Sequence, residues 1–260
     1  MGFGKSFVIL GSGNVGWHLS LALKRKGYRP LQVYSPTAAN ARKLAARLNC
    51  GYTTNTARVV PDASWYLIAV SDNAIARVAA ARPLRNKRLV HTAAGVPLDV
   101  LSEFTASCGV LYPLQTFSKS REISFSDIPL FIEGSDNQTT IALGKMAATL
   151  SLQVRSSTYR QRIALHVAAV FCCNFVNHFI ARAKEVVKKE KISFNVFKPL
   201  LNETIYKALK YNPIDIQTGP ARRGDSNTIK RHLSYLKDDP DSAKLYRFVS
   251  SSIFDYYSNK

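Results

Sequence analysis

Short apolar runs alternate with amphipathic segments along the first 156 residues. The run at residues 7–10 precedes a segment in which Val15, Leu19 and Leu23 recur at helical spacing. Similar apolar runs lie at residues 31–34, 65–70, 89–91, 109–112, 130–133 and 152–155. Because strands separated by helices in short units pair in parallel, this pattern predicts a doubly wound parallel sheet.

The pattern changes near residue 157, after which only the helical period remains. Apolar residues form a stripe on a helix expected to reach about residue 191, at Ile163, Val167, Val170, Phe171, Phe175 and Phe179. Further helices are predicted over residues 194–210 with a bend at Pro199, after Asp225, and from Pro240 onward. Broad apolar faces on a helical unit of this size favour a homodimer formed through it.

A glycine-rich segment, GSGNVG, joins the first strand to the first helix from Gly11 to Gly16. Gly11 permits a tight turn, Gly13 lets the backbone approach a pyrophosphate, and Gly16 lets the helix pack on the strand. The helix N-terminus that follows offers amides and a positive dipole end to phosphate. We therefore predict a dinucleotide site at Gly11, Ser12, Gly13, Asn14 and Val15. The alternative is a glycine turn that holds no ligand.

The size and composition of the chain suit two globular domains. It has 260 residues, of which 46% are hydrophobic and 20% charged. We predict an α/β fold, with a Rossmann-type dinucleotide-binding domain over residues 1–156. An all-α domain for substrate binding or dimerisation is predicted over residues 157–260.

The tip of the second strand bears on the choice of dinucleotide. NAD sites usually carry an acidic residue there to bind the ribose hydroxyls. This chain has Ser35 and Thr37 instead, and Arg42 follows on the next helix. Hydroxyls and a nearby cation suit a 2′-phosphate, so NADP is favoured over NAD. Residues 35–37 could also simply cap the helix, and both interpretations can hold together.

Polar residues also follow three later strands of the predicted sheet. Ligands of such sheets bind beyond the carboxyl ends of the strands. We therefore expect these residues near the cofactor: Val70, Ser71, Asp72, His91, Thr92 and Tyr112. For Asp72, capping of the following helix is an alternative role.

Two polar groupings mark the helical half. Asn174, Asn177 and His178 share one helix face, and His166 lies two turns earlier. The later segment Thr218–Asp225, TGPARRGD, is a turn that opens a helix, so its amides favour an anion. There Thr218, Arg222 and Arg223 are candidates for binding an acidic group of a substrate, together with Asn174. Asp225 is expected as the N-cap, or as an ion-pair partner of an arginine.

Charge and cysteine usage limit the compartment and the partners. Four cysteines have neither zinc-site nor disulfide-framework spacing, which indicates reduced core residues in a cytoplasmic protein. No secretory signal pattern or membrane-spanning apolar run is expected. The formal net charge of +19 suits nucleic acid, an acidic membrane surface or anionic small molecules. Nucleic-acid binding is disfavoured because the basic residues are scattered and lack a recognition motif.

The motifs, taken in order, resemble those of a known family. GSGNVG, YSPT, IAVSDN, VHTAAG, YPLQTFSK, HVAAVFCCNFVNH and TGPARRGD are similar to Rossmann-like, provisionally assigned NADP oxidoreductases whose helical C-terminal domain has no assigned substrate. The layout is more distantly similar to pyrroline-5-carboxylate reductase and deazaflavin-dependent NADP reductases. This resemblance implies that Ala93–Gly95 and Tyr112–Leu114 surround the nicotinamide, and that the Thr218–Thr228 region grips a substrate carboxylate. The two arginines depart from the reductase turn.

The functional expectation is an NADP-dependent oxidoreductase. It would reduce a small carbonyl or imine that carries an acidic group and binds between the domains. His178 and His166 are the preferred proton donors, with Tyr112 and His91 as further candidates. The alternatives are a non-catalytic NADP-binding sensor and a basic, nucleic-acid-associated protein.

Overall fold

A computed structural model describes residues 4–258 of the chain. Eight strands form one sheet: β1 (Ser6–Leu10), β2 (Arg29–Tyr34), β3 (Gly51–Thr53), β4 (Trp65–Ile68), β5 (Leu89–His91), β6 (Cys108–Pro113), β7 (Leu130–Gly134) and β8 (Val154–Ser156). Their order in the sheet is β3-β2-β1-β4-β5-β6-β7-β8. All pairs are parallel except β6 with β7, which is antiparallel. The predicted doubly wound, Rossmann-type α/β class is confirmed, although β3 was not predicted and the sheet is mixed.

Ten α-helices accompany the sheet within the described residues. They are α1 (Asn14–Arg25), α2 (Ala38–Leu48), α3 (Ile75–Ala79), α4 (Asn137–Leu150), α5 (Tyr159–Ala169), α6 (Val176–Lys189), α7 (Lys198–Lys210), α8 (Pro213–Ile216), α9 (Ser226–Tyr235) and α10 (Pro240–Ser258). A π-helical turn, Val170–Phe175, lies between α5 and α6. The predicted bend at Pro199 is instead the start of α7, where proline is tolerated because no helical donor is lost.

The sheet is covered on both faces by separate apolar clusters. Phe7 and Ile9 of β1 pack with the helices α1, α2 and α4 on one face. Val8 and Leu10 point the other way and pack against α3 and its neighbouring short helices. Because both faces are buried, β1 reads as a continuous apolar run rather than as an alternating one. The carboxyl ends of the strands are left as the open edge.

The chain divides into two compact units, residues 1–174 and 175–260. The sequence pattern had suggested a boundary after residue 156, where the helical period begins. Helix α5 belongs to the first unit because Arg162 is fully buried there and forms an ion pair with Glu133 of β7. The second unit consists of helices, as predicted. In it Asp225 is the N-cap of α9, accepting a hydrogen bond from the Thr228 amide at 3.0 Å.

The expectation that no apolar run reaches membrane-spanning length is wrong. The helical stretch Tyr159–Lys189 is long and apolar enough to cross a bilayer by length and composition, with a hydropathy of 1.7 in its most apolar window. Such a stretch is weak evidence for a membrane span. His166, Asn174 and His178 lie within it, and polar residues of this kind are costly in hydrocarbon.

Candidate cofactor cleft

One cleft of about 1000 Å³ follows the carboxyl ends of β1, β2, β4, β5 and β6. It belongs entirely to the first unit, and helix α5 with the π-helical turn supplies its remaining wall. This volume lies at the upper end of the range for small-molecule and cofactor sites. In parallel sheets of this type a dinucleotide lies across the same strand ends.

The glycine turn is shaped by close backbone contacts. Gly11 has φ of +120° and donates its amide to Tyr34 O at 2.8 Å. A Cβ at Gly11 would overlap the carbonyl oxygen of Ala69, and a Cβ at Gly16 would overlap that of Gly11. At Gly13 the nearest atom within the described chain, Ala69 O, would be 4.0 Å from an added Cβ. Gly11 and Gly16 are therefore required by packing, whereas Gly13 faces open space.

The start of α1 is suited to an anion. Gly13 is its N-cap and has no side chain to satisfy the first amides, and the first turn contains no acidic residue. Free amides and the helix dipole favour negative charge at such a position. Together with the close turn at Gly11, this arrangement fits a dinucleotide diphosphate.

Most of the predicted cofactor residues line this cleft. They are Gly11, Ser12, Gly13, Asn14, Val15, Ser35, Thr37, Val70, Ser71, Asp72 and Thr92. Asp72 lies directly beside the β5 loop, where a Cβ at Gly95 would come 3.0 Å from its Oδ2. Two predicted residues are not part of the lining as described, namely His91 and Arg42.

The tip of β2 carries hydroxyls and no carboxylate. Ser12 Oγ donates to Ser35 Oγ at 2.8 Å, and Ser35 is 4% exposed. Thr37 is the N-cap of α2, but among residues 4–258 its side chain makes no capping hydrogen bond. The hydroxyl of Thr37 therefore remains available to a ligand. Arg42 points elsewhere, since its Nε donates to the Tyr52 hydroxyl at 3.3 Å.

Tyr112 and His166 meet at the far end of the cleft, at the carboxyl end of β6. The Tyr112 hydroxyl lies 3.4 Å from His166 Nδ1, and the two rings form an edge contact at 6.3 Å between centroids. Burial raises the pKa of the Tyr112 hydroxyl, so the phenol keeps its proton at neutral pH. The structure thus brings together two of the four predicted proton donors. Of the other two, His178 belongs to the second unit and is exposed, and His91 is fully buried.

A partly buried ion pair supports the loop after β5, which lines the cleft at Thr92–Gly95. Arg162 of α5 is fully buried, pairs with Glu133 and donates to Val96 O at 3.4 Å. Tyr159, one turn earlier, has its hydroxyl 3.4 Å from Gly95 O. Sequence reasoning missed Arg162, because an arginine in a polar helical turn reads as an exposed residue.

His91 lies directly beneath the same loop instead of in the cleft. It is fully buried, and its Nδ1 accepts a hydrogen bond from the Ala93 amide at 3.2 Å. Burial and, secondarily, the positive charge of Arg162 lower the pKa of His91 to about 4. The imidazole is therefore neutral at physiological pH and orders the loop from below.

The loop after β6 adds cleft residues that the sequence did not identify. Gln115, Thr116 and Lys119 line the cleft, as does Arg77 of α3. The motif YPLQTFSK contains Gln115, Thr116 and Lys119, but no site role was predicted for them or for Arg77, because their positions depend on tertiary contacts. The same holds for Cys172 and Cys173, which are exposed in the lining and are not the core residues expected.

The candidate substrate residues are divided between the units. Asn174 lines the cleft of the first unit. In the second unit, Thr218 lines an apolar groove of about 370 Å³. The Arg222 guanidinium lies over the Tyr257 ring, 5.5 Å from its centroid. Hydrogen bonds from Thr228 hold the pKa of the Asp225 carboxyl below its usual value, with a smaller contribution from Arg223.

Comparisons with known proteins identify the family. A model of the coenzyme F420-dependent NADP oxidoreductases matches residues 6–95, and a domain of unknown function (DUF2520) matches residues 128–253. A structure from Bacteroides fragilis, provisionally assigned as an NADP oxidoreductase, is 42% identical, with a TM-score of 0.91. The match covers 97% of this chain and 98% of that one. The chain belongs to this NADP oxidoreductase family.

More distant structures share the fold of this NADP oxidoreductase family. A Thermotoga maritima protein is 20% identical over 94% of this chain and 99% of its own, with a TM-score of 0.69. The reductive aminase of Aspergillus terreus was solved with NADPH and ethyl-5-oxohexanoate. It is 16% identical over 96% of this chain and 92% of its own, with a TM-score of 0.71. Among the curated proteins no sequence matches the chain.

The glycine turn generates a prediction that separates folding from binding. Gly11→Ala should lower stability by about 2 kcal/mol or more, because the backbone is strained and the methyl group overlaps Ala69. Gly13→Ala should keep the melting temperature and weaken NADPH binding about tenfold or more, since its methyl group stands where a phosphate would approach. Thermal denaturation and calorimetry measure the two effects. Equal melting temperatures for the two variants would contradict the assignment.

His91 generates a prediction about pH. Its folded pKa of about 4 lies below the ordinary 6.5, so in that interval the unfolded chain binds a proton that the folded chain does not. Its contribution to stability should therefore be lost as the pH falls from 6.5 to 4, by up to about 3 kcal/mol. Denaturant titrations should show that the free energy of unfolding of His91→Asn falls less between pH 6.5 and pH 4 than that of the native protein. His178→Asn, which alters an exposed histidine, is the control and should keep the native slope.

Proposed function

We propose that this protein is an NADP-dependent reductase of a small carbonyl or imine that carries an acidic group. The cofactor is NADP. The cleft fits it, because the backbone closes tightly at Gly11, opens at Gly13 and leaves the α1 amides free. The tip of β2 presents Thr37 where an NAD site would carry an acidic residue. Bound NADPH supplies the hydride.

The observation that carries the proposal is the Tyr112–His166 pair at the far end of this cleft. The strand order places β2, β1, β4, β5 and β6 in succession. An adenosine held near β2 and a diphosphate held at β1 leave the reactive end toward β5 and β6. Tyr112 and His166 are side chains there that can hold and transfer a proton.

Reduction of a C=O or C=N bond adds a hydride to carbon and a proton to oxygen or nitrogen. Tyr112 keeps its proton at neutral pH because burial raises its pKa. When both ring nitrogens of His166 carry protons, Nδ1 donates to the Tyr112 oxygen, and the phenol hydrogen is then free to point at a substrate atom. As Tyr112 gives its proton to the substrate, the Nδ1 proton of His166 moves to the phenolate oxygen and leaves a neutral imidazole protonated at Nε2. Neither residue then holds a negative charge after the transfer.

The residues around this pair favour a compact organic substrate. Leu114, Leu165 and Ala169 line the same cleft and give it an apolar wall. For the acidic group we propose Arg222 or Arg223, assisted by Asn174 and Thr218. The supporting feature is the sequence TGPARRGD, which places two exposed guanidinium groups at the start of α9.

A second copy of the chain is the partner that we propose for the second unit. Large apolar side chains are exposed on its helices, including Leu209 at 84% and Phe248 at 73%. Water contact with so much apolar surface is unfavourable in a monomer. A sedimentation measurement that finds only monomer at micromolar concentration would refute this pairing.

The function is tested with a panel of small ketones and cyclic imines, each with and without a carboxylate, following NADPH absorbance. Tyr112→Phe should slow turnover about 10²–10⁴-fold, because the proton donor is lost. Its dissociation constant for NADPH should stay unchanged. Tyr206→Phe removes an exposed hydroxyl in α7 and is the matched control, expected to behave as the native protein.

The same panel tests the acidic group. The double substitution Arg222→Ala and Arg223→Ala should raise KM for the carboxylate compounds about tenfold or more and leave the neutral ones unaffected. Tyr112→Phe with native turnover would refute the proton-transfer proposal. Tight NADPH binding with no turnover of any compound would favour the non-catalytic sensor.

A further inference from the structure

Two permanent cations line the cleft within residues 4–258, Arg77 on α3 and Lys119 after β6. NADP carries its negative charge in two places, on the diphosphate bridge and on the 2′-phosphate of the adenosine ribose. NAD has the diphosphate alone. A cation beside the diphosphate therefore raises the affinity for both cofactors. A cation beside the 2′-phosphate makes the protein prefer NADP over NAD.

Lys119 is held beside the first turns of α1. Asn14 Nδ2 donates to Phe117 O at 2.9 Å, and His18 Nε2 lies 2.9 Å from Ser118 O. Lys119 Nζ lies 5.5 Å from the centroid of the Trp17 ring on the same helix. These contacts fix the loop next to the helix terminus whose free amides suit the diphosphate.

Arg77 lies on α3, on the other side of β1 from the tip of β2. Its side chain is exposed, lines the cleft and, within residues 4–258, makes no hydrogen bond or ion pair. Helix α3 follows β4, which pairs with β1, and β1 pairs with β2. The ends of β2 and β4 are thus two strand spacings apart, roughly 10 Å, a gap that an arginine side chain and a phosphate can span.

The tip of β2 supplies neutral donors but no cation of its own. Thr37 and Asn40 line the cleft there and are exposed. The nearest arginine in sequence, Arg42, lies over the Tyr52 ring at 5.8 Å from its centroid and is not part of the lining. A 2′-phosphate beside Thr37 would therefore find its positive charge across the cleft, on α3.

We propose that Arg77 binds the 2′-phosphate of NADP and that Lys119 neutralises the diphosphate. This division of roles rests on the proposed cofactor site. A guanidinium fork matches a terminal phosphate in bidentate fashion, whereas an ammonium acts as a point charge beside a shared diphosphate. Arg77 is then the residue that makes the protein prefer NADP over NAD.

The test measures calorimetric dissociation constants of NADPH, NADH and the fragment 2′-AMP for four proteins. They are the native chain, Arg77→Ala, Lys119→Ala and Arg42→Ala. Arg77→Ala should weaken NADPH and 2′-AMP about tenfold to a hundredfold and leave NADH unchanged. Lys119→Ala should weaken NADPH and NADH by the same factor and leave 2′-AMP unchanged. Arg42→Ala removes one positive charge outside the cleft and should match the native chain.

The dissociation constants of the variants test the role of Arg77, the role of Lys119 and the cofactor site separately. Equal weakening of NADPH and NADH in Arg77→Ala, or no weakening of either, overturns the assignment of Arg77. If Lys119→Ala or Arg42→Ala weakens the binding of NADPH but not that of NADH, the division of roles between Arg77 and Lys119 is overturned. A native chain that binds neither cofactor refutes the proposed cofactor site itself. Arg77→Lys, which keeps the charge without the fork, should retain part of the NADPH preference, and melting temperatures show that each variant is folded.

Discussion

The close backbone packing between the ends of β1 and β4 is the constraint on which the rest of the molecule depends. Gly11 can turn there because it has no side chain, and α1 can start there because Gly16 lies against the Gly11 carbonyl. A larger residue at either position would push α1 away from the sheet. The apolar cluster that α1 shares with α2 and α4 would then be disturbed, together with the amides that face the cleft. Folding therefore depends on the contacts of Gly11 and Gly16, and those contacts also set the position of the α1 amides that face the cleft.

The fold could be read from the sequence wherever burial leaves a pattern. The central strands β1, β4, β5 and β6 are buried runs of mainly apolar residues, and seven of the eight strands overlap the segments from which strands were predicted. β3 has three residues, of which Gly51 and Tyr52 are exposed, so it leaves no such signal. The sequence pattern also did not predict that α5 belongs to the first unit. That assignment depends on the ion pair between Arg162 and Glu133 of β7, which joins segments that are distant in sequence.

The candidate site was predictable to the extent that backbone conformation defines it. Glycines and the first residues after each strand have positions fixed by the fold, and nearly all of those predicted line the cleft. Long charged side chains are different, because their direction is set by neighbours that the sequence does not reveal. Arg42 follows the predicted tip of β2 yet contacts Tyr52, whereas Lys119 reaches the cleft from a loop about a hundred residues after the glycine turn. The prediction for His91 failed by a single position. His91 is the buried last residue of β5, and the lining of the cleft begins at the next residue, Thr92.

The loop after β5 is held from beneath by Arg162 and Glu133 and presents Ala93, Ala94 and Gly95 above. Such a loop presents only small side chains to the cleft. The cost of removing charge from water falls as temperature rises, whereas the stabilisation from apolar contacts levels off. The pair of the fully buried Arg162 with the partly exposed Glu133 should therefore lose less of its contribution on warming than the apolar contacts around it. Warming consequently shifts the support of this end of the cleft from apolar packing toward charge.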